Sequence, residues 1–135
     1  MSTRISYPAV ALDFMNRDHA EFVALLDRLD AGLAGAATED IGGLLDELLD
    51  HTSRHFAAEE AAMQEAGFPA YPIHRGEHGR VLVMLTDRIG QWRTDRDDGA
   101  LRAWLCGEAT DWFTGHVASM DTVTAGFIAA RGGRR

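Results

Sequence analysis

Residues 38–66, TEDIGGLLDELLDHTSRHFAAEEAAMQEA, decide the fold class of this chain, because their apolar and small side chains recur at steps of three and four. That spacing is typical of one face of an amphipathic helix. Thr38 can cap the start of this helix and Gly67 can end it. The predicted face consists of Ile41, Leu44, Leu45, Leu48, Thr52, His55, Glu59, Ala62 and Met63.

Three further segments repeat the helical period, and each predicted face includes at least one histidine. The first face consists of Met15, His19, Phe22, Leu26, Leu29 and Leu33. The third, after the turn GFPAYP at 67–72, consists of His74, His78, Val81, Leu85, Ile89 and Trp92. The fourth follows TDRDDG at 94–99, where Asp97 or Asp98 can cap the helix. It consists of Leu101, Leu105, Trp112, His116, Met120, Thr124 and Phe127.

These four segments predict an all-α protein, because nothing in the chain alternates with period two over a useful length. Helices of roughly 20 to 30 residues joined by short loops fold back on one another as antiparallel neighbours. We therefore expect an up-down-up-down four-helix bundle. We expect one domain over residues 1–135, with a core at about 13–128 and a frayed tail at 129–135.

Composition and charge exclude several classes of protein. The chain has 135 residues, 46% of them hydrophobic and 25% charged, as in an ordinary globular protein. Its formal charge of −8 argues against nucleic-acid partners, and no apolar run approaches the ~18 residues of a membrane span. The first residues do not resemble a signal peptide, so we expect a cytoplasmic protein without membrane insertion. The single cysteine, Cys106, allows no internal disulfide.

The histidines carry the chemical signal of the sequence. Five of the six lie on the predicted apolar faces, and His51 lies at the edge of one. A single buried histidine is unremarkable, because histidine is intermediate in burial. Five neutral imidazoles in one small core each need polar partners, at a cost of ~1–3 kcal/mol per unmet group. A metal centre satisfies them together.

The spacing of histidines and carboxylates supports this interpretation. HFAAE at 55–59 and HRGEH at 74–78 each place two possible ligands one turn apart on one helix face. HVASMD at 116–121 instead separates His116 and Asp121 by five residues, or about 140° of rotation. Asp121 can still reach between two metals, and a local bulge in the helix would help it do so.

Counting ligands favours two metals over one. Five histidines give five bonds, two bridging carboxylates give four, and one bridging solvent oxygen gives two. Two octahedral metals need about twelve bonds, so one position stays open for a small ligand. Imidazole with carboxylate suits iron, among other metals. A lone zinc ion takes only about four ligands and would leave three of these groups unexplained.

From about residue 13 to residue 127, the chain resembles the hemerythrin family in its single-domain bacterial form. The resemblance rests on a histidine in the first helix, followed in order by HxxxE, HxxxH and HxxxxD. It implies a non-heme diiron centre with a bridging oxo or hydroxo oxygen, and reversible binding of dioxygen at a vacant iron position. The implied roles are a six-coordinate iron held by His74, His78 and His116, a second iron held by His19 and His55, and bridges from Glu59 and Asp121.

The resemblance also directs attention to the pocket over the vacant position. We expect its wall to include Phe22, Phe56, Trp112 and Phe113. At the position of Phe113 the family usually has an aliphatic residue, so the resemblance does not determine the size of the pocket. His51 is either an exposed edge residue or a hydrogen-bond partner of the site.

Three functions remain open at this point. The first is a reversible oxygen binder for storage, transport or delivery. The second is a diiron redox enzyme, such as an oxidase or peroxidase, and the third is an oxygen or redox sensor. Oxygen-activating diiron bundles are usually rich in carboxylates, whereas histidines outnumber carboxylates here by five to two. A sensor would usually need an output domain, for which 135 residues leave little room. We therefore expect an oxygen-binding protein and not an enzyme.

Overall fold

A computed structural model describes residues 5–36 and 38–132, and it is built of four long helical arms. The first three arms are α1 (Asp13–Leu33), α2 (Ile41–Ala66) and α3 (Tyr71–Asp95). The fourth is a run of five helical segments between residues 98 and 130. The predicted four-helix bundle is confirmed. None of the described helices is long and apolar enough to cross a bilayer.

Contacts at one end of the bundle fix the direction of each arm. Arg102, near the start of the fourth arm, donates to Asp30, near the end of α1, at 2.7 Å. Arg93, near the end of α3, donates to Asp46, near the start of α2, at 2.6 Å. Neighbouring arms therefore run in opposite directions, and the order is up-down-up-down as predicted.

The helix ends follow local hydrogen bonding. Gly67 ends α2 in the left-handed conformation, with a φ of 68° that favours glycine. Asp97 caps the fourth arm and accepts from the amide of Ala100 at 3.0 Å. The prediction that Thr38 caps α2 was wrong. Asp40 is the cap, because its carboxylate reaches the amide of Gly43 at 3.1 Å and the helix begins only after it.

The fourth arm, which we call the C-terminal helix, is continuous but not uniform. Its segments, in order, are α4 (Asp98–Trp104), a π-helical turn (Leu105–Ala109), α5 (Thr110–His116), a second π-helical turn (Val117–Asp121) and α6 (Thr122–Ala130). The residues at each internal junction have right-handed helical φ and ψ angles. Of the predicted frayed tail, residues 129 and 130 belong to α6, and residues 133–135 lie outside the described residues.

The π-helical turns keep one face of the C-terminal helix towards the core. Buried residues recur every four positions, and in a regular α-helix such a row drifts by about 40° per step. A π-helical turn holds more residues than an α-helical turn, so it rotates the row of buried side chains back towards the core and offsets the drift. The buried row is Leu101, Leu105, Ala109, Phe113, Val117, Asp121 and Ala125. The predicted face differs, because Trp112, Met120 and Phe127 are only half-buried.

A threonine stabilises each π-helical turn in the same way. The hydroxyl of Thr110 donates to the carbonyl oxygen of Leu105 at 2.7 Å, and that of Thr122 to the carbonyl of Val117 at 2.8 Å. Each acceptor lies five residues earlier in the chain. The side chains therefore satisfy carbonyl oxygens where the regular α-helical pattern is interrupted.

The apolar core is divided into two clusters at the two ends of the bundle. The larger includes Leu29 and Leu45 with Leu101, near the loops that join α1 to α2 and α3 to the C-terminal helix. The smaller includes Met15 and Met63, near the opposite end. Burial of both clusters holds the four arms together. The polar buried residues lie on the same arms and form the site described next.

Candidate metal centre

Seven buried histidine and carboxylate side chains meet in the bundle, and they come from all four arms. Each is at most 8% exposed. They are His19 from α1, His55 and Glu59 from α2, His74 and His78 from α3, and His116 and Asp121 from the C-terminal helix. The structure thus brings together every ligand candidate named from the sequence.

Glu59 directs its two carboxylate oxygens at different histidines. Its Oε2 lies 2.7 Å from Nε2 of His55. Its Oε1 lies 3.1 Å from Nε2 of His78 and 3.5 Å from Nε2 of His74. The carboxylate therefore stands between a histidine of its own helix and two histidines of α3.

Asp121 also directs its two carboxylate oxygens at different histidines. Its Oδ2 lies 2.9 Å from Nε2 of His19, while its Oδ1 lies 3.1 Å from Nε2 of His116 and 3.3 Å from Nε2 of His74. Five residues separate His116 from Asp121, and the π-helical turn at 117–121 lets both face the centre. The bulge expected from the spacing is present at this position.

The donor atoms form two groups that share a carboxylate. Within each group, one possible ligand atom per residue lies within 4.8 Å of all the others. One group is Glu59, His74, His78 and His116, and the other is His19, His55, Glu59 and Asp121. Two adjacent cation positions bridged by a carboxylate fit this arrangement.

The hydrogen-bonding state of these atoms tests whether cations fit. Both oxygens of Glu59, Oδ1 of Asp121 and Nε2 of three histidines are buried without a hydrogen-bond partner among the described residues. The three histidines are His74, His78 and His116. Their short approaches to carboxylate oxygens therefore lack hydrogen-bond geometry. Buried polar atoms left in this state are costly, and metal ions would satisfy them.

Three of the imidazoles are oriented by hydrogen bonds at their other nitrogen, Nδ1. In each case Nδ1 contacts a side chain outside the seven ligand candidates. Two of these partners, Asp18 and Glu60, are carboxylates, which when ionised can only accept. The pairs are His55 with Asp18 at 2.8 Å, His78 with Glu60 at 2.9 Å and His74 with Thr124 at 2.8 Å. An imidazole that donates from Nδ1 keeps its Nε2 lone pair available for a metal.

Sequence reasoning did not assign roles to Asp18, Glu60 or Thr124. A general rule could have prompted the search, since metal-binding histidines usually donate their second N–H to a carboxylate or a carbonyl. Each partner, however, comes from a different helix than its histidine. The choice among the chain's many acidic residues therefore depends on how the helices pack.

The site keeps its carboxylates ionised. Burial on its own would raise the pKa of Glu59 and of Asp121, but the neighbouring imidazoles outweigh it and lower both pKa values. Burial would likewise lower the pKa of His55, but the charge of Glu59 and the hydrogen bond to Asp18 raise it to about 10. This environment therefore favours bound positive charge.

Aromatic rings pack directly on two of the histidines. Phe56 stacks on His78 with ring centroids 3.8 Å apart, and Trp112 stacks on His116 at 4.7 Å. The indole N–H of Trp112 donates to Glu77 at 2.7 Å. The hydrogen bond from Arg80 lowers the pKa of Glu77 to about 2, and the bond from Trp112 adds to the effect, so this acceptor is ionised at neutral pH. These contacts hold Trp112 against the centre.

A small cavity of about 20 Å³ adjoins the two-histidine side of the site, where His19, His55 and Asp121 contribute to its wall. This volume accommodates about one water-sized molecule. The rest of the wall includes the four aromatic residues expected from the sequence: Phe22, Phe56, Trp112 and Phe113. Phe22 and Phe113 stack on each other at 4.8 Å, and Tyr7 meets the edge of Phe113 at 5.2 Å.

His51 lies in the cavity wall, and its side-chain hydrogen bond goes to Glu21 and not to one of the seven ligand candidates. Its Nε2 lies 3.0 Å from Oε1 of Glu21, and its ring stacks at 6.4 Å from that of His55. It is half-buried. Two roles were left open for His51 from the sequence. The structure places it at the edge of the site, where it also forms part of the cavity wall.

Comparison with known sequences identifies one family. The model described as the hemerythrin HHE cation binding domain matches residues 10–128. A bacteriohemerythrin of Ralstonia nicotianae is 37% identical over 115 residues, which cover 85% of this chain and 80% of the relative. One of Aquifex aeolicus is 33% identical over 112 residues, covering 83% and 86%.

Solved structures support the fold independently. A crystal structure of wild-type hemerythrin superimposes with a TM-score of 0.72 at 22% identity, covering 89% of this chain and 91% of that one. The structure of a hemerythrin mutant gives a TM-score of 0.75 at 21% identity, with coverage of 96% and 99%. At these identities the likeness concerns the fold alone.

Proposed function

Because the chain belongs to the hemerythrin family, we propose that it is a non-heme diiron protein that binds dioxygen reversibly, for storage, transport or delivery. One observation carries this proposal. Glu59 and Asp121 each direct one oxygen at the histidine set of His74, His78 and His116, and the other at His19 or His55. Such a division suits two carboxylates that bridge a pair of metals.

The assignment of ligands follows from the two groups of donor atoms. In our proposal His74, His78 and His116 hold one iron, and His19 and His55 hold the other. Glu59 and Asp121 would contribute an oxygen to each iron, and an oxo or hydroxo oxygen from solvent would complete the set. Held by these residues, a pair of ferrous ions would supply the two electrons that dioxygen accepts, and both ions would become ferric.

The unequal division of histidines supports an open position on one side. If Glu59 and Asp121 each contribute one oxygen to either side, the set with two histidines has one protein ligand fewer than the set with three. The small cavity adjoins the set with two histidines. Phe22, Phe56 and Phe113 make most of that wall apolar, so they admit a small apolar molecule and disfavour bulk water. Asp18 and Glu60 meanwhile keep His55 and His78 in the orientation that coordination requires.

The donor set favours oxygen binding over oxygen activation. Five neutral imidazoles and two carboxylates place less negative charge on the metals than the carboxylate-rich sites of oxygen-activating diiron bundles do. Less anionic ligation stabilises high-valent iron less well. We therefore propose a ligand-binding protein in preference to an oxidase or a peroxidase.

Cycling the gas phase tests this function. The protein is loaded with ferrous iron in the absence of oxygen, and its visible spectrum is recorded while oxygen is admitted and removed repeatedly. A carrier gives charge-transfer bands that appear and vanish in every cycle. Bands that appear once and decay to a stable ferric form would contradict reversible binding.

Truncation of the pocket wall should change access to the metals. Phe113 is 4% exposed and contacts Phe22 and Tyr7, so Phe113→Ala opens a cavity at a cost of ~3–5 kcal/mol of folding stability. We expect the variant to bind oxygen but to oxidise to the ferric state faster than the wild type. Azide should also enter its ferric site faster, as measured by stopped-flow absorption.

Phe127→Ala is the matched control for this experiment, because Phe127 packs with Phe68 in the smaller apolar cluster. It loses an aromatic ring of the same size away from the cavity. If neither rate changes in Phe113→Ala relative to this control, Phe113 is an ordinary core residue and the ligand enters elsewhere.

A further inference from the structure

The cavity beside the centre is lined mostly by aromatic rings, and a threonine is among the polar side chains of its wall. Thr52, one turn before His55 on α2, is 3% exposed and contributes to this wall. Its hydroxyl oxygen is buried and has no hydrogen-bond partner among the described residues. A buried hydroxyl without a partner is uncommon, because its desolvation is not repaid. This atom therefore points to a ligand that arrives from outside the chain.

The other polar groups of the wall outside the ligand set are not available as donors. His51 contacts the carboxylate of Glu21 through Nε2, and its Nδ1 is buried without a partner among the described residues. An imidazole that donates from Nε2 offers Nδ1 as an acceptor. Asp18 is an acceptor already engaged with His55, and the indole N–H of Trp112 is engaged with Glu77. Among the described residues that line the cavity, Thr52 is the one hydroxyl, and its O–H has no acceptor within the described part of the chain.

The position of this donor defines the chemistry that it recognises. The cavity adjoins His19 and His55, and its volume of about 20 Å³ leaves room for little more than the free end of a small ligand. A small ligand bound by one end to a metal at His19 and His55 would present its other end to this wall. If that end carries negative charge, a hydroxyl donor gives it a strong hydrogen bond.

We propose that the Thr52 hydroxyl is a ligand-recognition group that donates a hydrogen bond to the far end of a small inorganic ligand with acceptor atoms. The class comprises small anions such as azide, and dioxygen once it has accepted charge from the metals. The inference rests on the proposed function, because the near end of the ligand needs the iron. The hydroxyl would favour ligands with acceptor atoms in a pocket whose wall is otherwise mostly apolar.

Azide binding to the ferric, iron-loaded protein tests this proposal. Thr52→Val keeps the shape of the side chain and removes the hydroxyl, and Thr52→Ser keeps the hydroxyl. Thr94→Val makes the same change as the first variant at an exposed position of α3. Titration with sodium azide, followed by absorption, gives the dissociation constant and the iron content of each protein.

We expect Thr52→Val to bind azide about tenfold more weakly than the wild type, as for the loss of one hydrogen bond to a charged acceptor. Thr52→Ser and Thr94→Val should stay within about threefold of the wild type, with unchanged iron content. Equal affinity in Thr52→Val and the wild type would overturn the proposal. So would a Thr52→Ser variant as weak as Thr52→Val.

A second measurement on the metal-free protein needs no ligand. If the hydroxyl has no partner within the chain, Thr52→Val should unfold at the same temperature as the wild type or a higher one. A lower melting temperature would show that the hydroxyl already bonds to the protein, and the proposal would be wrong. Failure of the proposed function is distinguishable, because it would appear in the wild type, either as a failure to hold two irons or as charge-transfer bands that do not return when oxygen is cycled.

Discussion

Replacement of Glu59 by glutamine should leave the purified protein with less than about one iron per chain, against about two for the wild type. Glu59 belongs to both groups of donor atoms, so the change removes a ligand from each metal at once. An amide offers one oxygen where the carboxylate offers two, and it carries no charge to balance the cations. It also leaves an N–H₂ group facing His55 or His78.

Glu47→Gln is the control, because it makes the same change of charge at an exposed position of the same helix. Iron analysis after desalting, with both proteins loaded identically, gives the comparison. We expect Glu47→Gln to match the wild type. Two full equivalents of iron in Glu59→Gln would contradict a bridging role for this residue.

Removal of the metals should lower the melting temperature by about 10 °C or more. Without cations, both oxygens of Glu59, Oδ1 of Asp121 and several imidazole nitrogens are buried without partners. Each such group costs ~1–3 kcal/mol, and together they are comparable to the whole stability of a domain of this size. The loss is recoverable, so addition of ferrous iron should restore the melting temperature.

The effect should be greatest in the first half of α3. Gly76 and Gly79 flank His78, and each costs ~1 kcal/mol relative to alanine within a helix. A β-carbon at either position would meet no atom within 4 Å beyond its chain neighbours and the local backbone of its own helix, so crowding does not account for the glycines. We therefore expect this turn to depend on a metal bound by His74 and His78.

Amide hydrogen exchange measures this dependence directly. We expect residues 73–80 to exchange much faster in the metal-free protein than in the loaded one. Residues 84–92 of the same helix, whose buried side chains pack in the larger apolar cluster, serve as the internal control. Equal protection of residues 73–80 in the two forms would show that the metal does not hold this turn.

The fold was predictable because its signals are local. Apolar residues at helical spacing, Gly67 after α2 and Asp97 before the C-terminal helix act through neighbours in the chain. The seven ligand candidates could be predicted from the sequence for a related reason. A histidine on an apolar face is conspicuous wherever it occurs, and His55 with Glu59 or His74 with His78 lie one turn apart on one helix.

The remaining features depend on packing between helices. Asp18, Glu60 and Thr124 look like ordinary polar residues until another helix brings a histidine to them. The first π-helical turn, at 105–109, was not predicted, although burial every four residues from Leu101 to Ala125 is its signature. Thr52 lies on the predicted apolar face, but its unpartnered hydroxyl becomes visible only once the cavity is known.

Anaerobic titration of the metal-free protein with ferrous iron tests the central claim most directly. The count of ions bound per chain follows from the break in the binding curve, read from unbound iron after rapid filtration. Two donor groups that share Glu59 predict a break at about two irons per chain, and a break at less than about one in Glu59→Gln. A wild-type break at one iron per chain would contradict a two-metal centre.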